Sequence, residues 1–128
     1  MSIRSNIKKY FDNHAETKDN HEDATLRTHY YKTSKDKAFN VIETFIQNSQ
    51  KYELNATSKE YGELSLNVIK GKKAFIVIAI IMTKPYQTAI DISVTTEALL
   101  PFDFGYSNKI ITKLYEQFNR ELPLIKME

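Results

Sequence analysis

Histidine is the side chain that most often moves protons near neutral pH, and this sequence holds three: His14, His21 and His29. His14 and His21 stand in a polar stretch with Glu16, Asp19, Glu22 and Asp23. Those are ligand types a divalent cation accepts, but no HxH or HxxxH spacing sets two of them on one face of an element. The stretch reads as a solvated loop, and no metal site is expected. His29 precedes Tyr30 and Tyr31 in a run rich in β-formers. It is either a base or ligand contact, or a hydrogen-bonded strand residue at the surface. Asp91 sits between Ile90 and Ile92. Buried, it would have a raised pKa and act as general acid or base; turned outward, it is an ordinary surface carboxylate. Asp103, in PFDFG, carries the same ambiguity, with a helix cap as the plainer reading.

Nucleophiles are poorly supported. None of the eight serines lies in GxSxG, and there are no cysteines, which removes thiolate zinc sites, iron–sulfur clusters and thiol nucleophiles together. The DFG at 103–105 lacks the glycine-rich loop, strand lysine and HRD of a kinase. The three glycines, Gly62, Gly71 and Gly105, are too scattered to build a phosphate-cradling loop. No catalytic residue, no enzyme activity and no cofactor are expected. Lys70, Lys72 and Lys73 surround Gly71 in a basic turn that either grips phosphates or keeps a sheet edge soluble. The formal net charge of +2 gives no general field, so a nucleic-acid partner is not expected.

These residues need elements to hold them. Ile3, Ile7, Tyr10 and Phe11 form one stripe of a short N-terminal helix with Arg4, Lys8 and Lys9 around it. That helix either docks on its own domain or touches a membrane surface or a partner. Residues 12–24 read as a polar linker. Leu26–Lys32 reads as a strand. Thr33 or Ser34 caps a helix whose apolar face is Ala38, Val41, Ile42, Phe45 and Ile46. Four strands follow, over Tyr52–Thr57, Leu64–Val68, Ala74–Thr83 and Thr88–Thr95, with turns at 59–62, 70–73 and 84–87. Leu99–Gly105 is an apolar loop. A closing helix buries Ile110, Ile111, Leu114, Tyr115 and Phe118 and stops at Pro123.

The order predicts an α+β, two-layer sandwich. A mainly antiparallel five-stranded sheet, β-α-β-β-β-β-α, would carry two helices on one face, with the N-terminal helix in addition. Residues 1–24 hold the N-terminal helix and linker, and residues 25–128 form one domain. The 128 residues and 41% hydrophobic content suit one core. No signal-peptide run is visible and the longest apolar run, 74–82, is too short to cross a bilayer as a helix, so a cytoplasmic protein is expected.

Ala74–Met82 is apolar on both faces and must be covered on both. Phe45, Val77 and Leu114 are the expected lining of any cavity between sheet and helices. Ile76, Ile78, Ile80 and Met82 are the expected interface on the opposite face. Burying four such side chains is worth about 6–12 kcal/mol. A lid from the N-terminal helix, a second copy, a ligand or the sheet's own curvature would cover them. The expected function is a non-enzymatic binding or interaction module that self-associates as a homodimer. The other reading is a carrier of a small apolar ligand or lipid.

The segments KKAFIVIAIIM (Lys72–Met82) and TAIDISVTTEALLPFDFGYS (Thr88–Ser107), with the strand–helix–meander–helix layout, carry a resemblance. Over about residues 25–122 the layout resembles the helix-grip and TATA-box-binding-protein-like families, and the segments resemble small bacterial cytosolic proteins of unknown function. The helix-grip resemblance implies an apolar ligand held between sheet and helix. It carries no catalytic residue over.

Overall fold

Two helices and a seven-stranded sheet make up the computed structural model of the chain, which describes residues 14–96 and 105–125. The strands are β1 (His14–Glu16), β2 (His29–Tyr31), β3 (Tyr52–Ser58), β4 (Glu63–Val68), β5 (Ala74–Lys84), β6 (Gln87–Thr96) and β7 (Leu124–Ile125). The helices are α1 (Lys35–Gln47) and α2 (Tyr106–Glu121), and a single 3-10 turn covers Ala24–Leu26. The expected N-terminal helix, the apolar loop and Asp103 lie outside the described residues.

Helix α1 starts where Ser34, in extended backbone, accepts the Lys37 amide on its hydroxyl at 3.2 Å, with Asp36 in the first turn at the positive end of the dipole. Its buried residues are Ala38, Phe39, Ile42 and Ile46, while Val41 and Phe45 are only half-buried. The stripe is thus rotated toward Phe39, which the 3.6-residue pattern left out. Helix α2 begins at Gly105, whose left-handed φ of 83° turns the chain into the helix without a side-chain cap.

The sheet is antiparallel throughout, in the order β3-β4-β5-β6-β2-β7. The four later strands form the expected meander. The early strand β2 pairs with β6, its non-sequential neighbour. Two strands exceed the five expected. β1 pairs with Ser93–Thr95 of β6 and β7 pairs with Tyr30 and Tyr31. They are three and two residues long, too short to carry an alternating pattern. Residues 14–16, expected in the linker, are therefore part of the sheet.

The two faces of β5 are the reverse of what the sequence suggested. Ile76, Ile78 and Ile80 are each 0% exposed and join Leu64, Leu66, Ile90, Ile92 and Val94 in one core with Ile42, Ile46, Ile110, Leu114 and Phe118 of the helices. They cannot serve as an interface, because the chain's own helices already take them out of water. Met82 is exposed, beside a register shift between Met82 and Lys84.

Turn chemistry fixes the meander. Gly62 has φ 71°, and its carbonyl accepts the Ile80 amide at 2.7 Å. A Cβ there would stand 2.2 Å from the Ile80 oxygen, so no other residue fits without moving β5. Gly71 supplies the positive φ expected of it, 98°.

Candidate functional site

Strand alternation sends the odd residues of β5 away from the core. Register then writes the surface row by row: Asn67–Phe75–Thr95, Ser65–Val77–Ser93, Glu63–Ala79–Asp91, and Ile81 beside Ala89. The middle of each row is apolar and the flanks are mostly short and polar. Phe75 is 42% exposed and Ile81 52%, with Val77 and Ala79 half-buried between them. The column runs about 20 Å along the strand. A dry stripe on the middle of an otherwise polar sheet is the largest organised apolar feature of this face.

Beside it the sheet carries a polar seam. β1 and β2 both lie on the outer edge of β6 but leave a gap between them, opposite Asp91. Thr17 fills it. Its amide donates to the Ile92 carbonyl at 2.9 Å, and its hydroxyl accepts the Ile92 amide at 2.9 Å while donating to Asp91 Oδ1 at 2.7 Å. The Thr28 hydroxyl donates to the same carboxylate oxygen at 2.5 Å. From the core side, the buried Tyr115 hydroxyl donates to the Ile90 carbonyl at 2.6 Å and stands 3.2 Å from Thr17 Oγ1. Burial pushes the Tyr115 phenol far above its ordinary pKa. Asp91 is half-buried, and its contacts are those of an anchor for two loop ends rather than of a free acid.

His29 lies flat on the Tyr115 ring, with centroids 3.6 Å apart and planes 3° from parallel. Its Nδ1 is 3.3 Å from both Asn119 Oδ1 and the Tyr31 hydroxyl oxygen, and that hydroxyl donates to Asn119 Oδ1 at 2.6 Å. Two acceptors facing Nδ1 assign the proton to that nitrogen and leave Nε2 with the lone pair. Burial holds the imidazole below its ordinary pKa, against the Asn119 hydrogen bond that raises it. Next along β2, Tyr30 donates to Asp19 Oδ1 at 2.5 Å, and that bond is the main cause pushing its phenol up to about 12.

The expected cavity residues are not brought together. Leu114 is in the core and Phe45 lines an open groove with Asn40, Val41, Thr44, Asn48, Ser49 and Glu121, of about 460 Å³, while Val77 is on the other side of the sheet. Lys70, Lys72 and Lys73 are exposed at the β4–β5 turn, where the Lys72 carbonyl accepts the Tyr106 hydroxyl at 2.8 Å and the Lys72 ammonium stands 5.4 Å over the same ring. Thr17, Tyr115 and Asn119 were missed as polar participants. The 3.6-residue pattern presents Tyr115 only as part of an apolar stripe, and nothing in the chain order pairs residue 17 with residue 91. Among the described residues, no three His, Cys, Asp or Glu side chains gather to hold a metal ion. Among them, too, no helix is long and apolar enough to cross a membrane.

Comparison with protein-family models, curated proteins and solved structures finds no match.

Proposed function

We propose that this chain is a non-enzymatic interaction module that pairs with a second copy of itself across the open face of its sheet. The observation that carries this reading is the Phe75–Val77–Ala79–Ile81 column, with two members about half exposed on the face turned away from the core. Two such faces related by a two-fold axis lay column on column and polar flank on polar flank. Five strands spaced about 4.8 Å apart, over about 25 Å of length, offer roughly 600 Å² per copy, at the lower end for a specific dimer. The acid–base side chains fit this reading, since His29 and Asp91 are tied into packing around Thr17 and Tyr115. Sedimentation velocity at micromolar concentration tests it. A dimer that Val77→Lys converts to a folded monomer supports the pairing. A wild-type monomer, or a dimer indifferent to Val77→Lys, counts against it.

The groove beside Val41 and Phe45 favours a second reading, a carrier that holds a small apolar ligand there. Native mass spectrometry of freshly purified protein would show the added mass of such a ligand, and a bare chain mass would weaken the idea.

A further inference from the structure

The two ends of the sheet differ in charge. At one end lie the turns 59–62 and 84–87, with Lys59, Glu60, Glu63 and Lys84 in mixed sign. The other end gathers lysines. The Ile69 amide donates to the Lys51 carbonyl at 2.9 Å, which sets Lys51 beside the turn that carries Lys70, Lys72 and Lys73. The Tyr106 hydroxyl fastens the start of α2 to Lys72, and Lys109 and Lys113 follow on its next turns. Among the described residues, none of these six lysines has a carboxylate within 4 Å; the only ion pair found there joins His14 and Glu16. Burial first, and Lys113 second, hold the Lys51 ammonium below its ordinary pKa, so two like charges lie close together here. The whole chain carries only +2, so six lysines at one end leave the remainder net acidic.

Apolar side chains stand among these charges. Ile69 is 55% exposed immediately before Lys70, and Phe75 is exposed two residues after Lys73. We infer that this lysine-rich end of the sheet docks on an anionic phospholipid surface, with Lys51, Lys70, Lys72, Lys73 and Lys113 facing headgroup phosphates and Ile69 entering the interface. Ammonium groups alternating with projecting apolar residues match the boundary between headgroups and acyl chains. A nucleic-acid strand fits less well. Tyr52 is buried and the Tyr106 hydroxyl is engaged, so neither ring is offered as a stacking platform.

The test is co-sedimentation of the full chain with phosphatidylcholine vesicles containing phosphatidylserine, against phosphatidylcholine alone. Binding should require phosphatidylserine and weaken with salt. The double variant Lys72→Gln/Lys73→Gln should lose about tenfold or more in partitioning, and Lys59→Gln/Lys84→Gln, with the same charge change at the far end, less than about twofold. Ile69→Ser should weaken binding while keeping its salt dependence. Circular dichroism melts confirm that each variant is folded. Equal losses in both doubles, or no preference for phosphatidylserine, overturn the proposal. So does tighter binding of a labelled oligothymidine that displaces the protein from vesicles. The outcome is independent of Val77→Lys, which reads pairing alone.

Discussion

The hydroxyl of Thr17 lies 2.7 Å from Asp91 Oδ1, across 74 residues of chain, and takes the Ile92 amide at the same time. One small side chain thereby replaces a missing piece of sheet ladder. Thr17→Ala should leave the Ile92 amide without its acceptor and cost about 1–3 kcal/mol in urea unfolding. Thr17→Ser should recover most of that loss. Thr28→Ala, which removes a single contact to Asp91, should cost less than Thr17→Ala.

His29 makes stability depend on acid. Its folded-state pKa is lowered from 6.5, so the native protein favours the neutral ring more than the unfolded chain does. Stability is unaffected by this group above pH 6.5, falls as pH drops below it, and levels off under the folded-state pKa. Urea midpoints measured from pH 7.5 down to about 4.5 should fall less steeply in His29→Phe, which keeps a ring on Tyr115. Identical slopes would mean that the imidazole gains its proton freely.

Two glycines separate backbone strain from crowding. Gly62→Ala meets the Ile80 oxygen as well as an unfavourable φ and should lose at least about 2 kcal/mol. Gly71→Ala has the same φ problem but nothing closer than the Tyr106 hydroxyl at 4.0 Å, and should lose about 1 kcal/mol. Thermal melts rank the two, and an equal loss would refute the close approach at Gly62.

Neighbouring positions on β5 should behave oppositely. Ile78→Lys places a charge in the core, at 0% exposure, and should unfold the protein or cost more than about 4 kcal/mol. Val77→Lys, on the open side, should change unfolding free energy by less than about 1 kcal/mol. Similar losses at both sites would contradict the face assignment.

The meander and both long helices were legible because their alternation and 3.6-residue stripes are strong. That both sides of Ala74–Met82 are apolar was legible too. Which side meets the helices was not, since a strand with Ile76, Ile78 and Ile80 against Phe75, Val77 and Ile81 carries no contrast between its faces. Its neighbours Leu64, Leu66, Ile90 and Ile92 decide the matter, but only once the register is known. The His29–Tyr115 stack and the Thr17–Asp91 bond join distant parts of the chain. No local pattern announces either, and Asp91 keeps the outward position its alternation implied.

The outer border of β6 is guarded in two separate pieces, β1 and β2, with Thr17 as the splice. A tug on the amino-terminal side therefore loads a three-residue ladder first, while β2 stays zipped between β6 and β7. That strap behaves as a mechanical fuse: under tension it peels and pays out slack before α1 or the central strands feel the force.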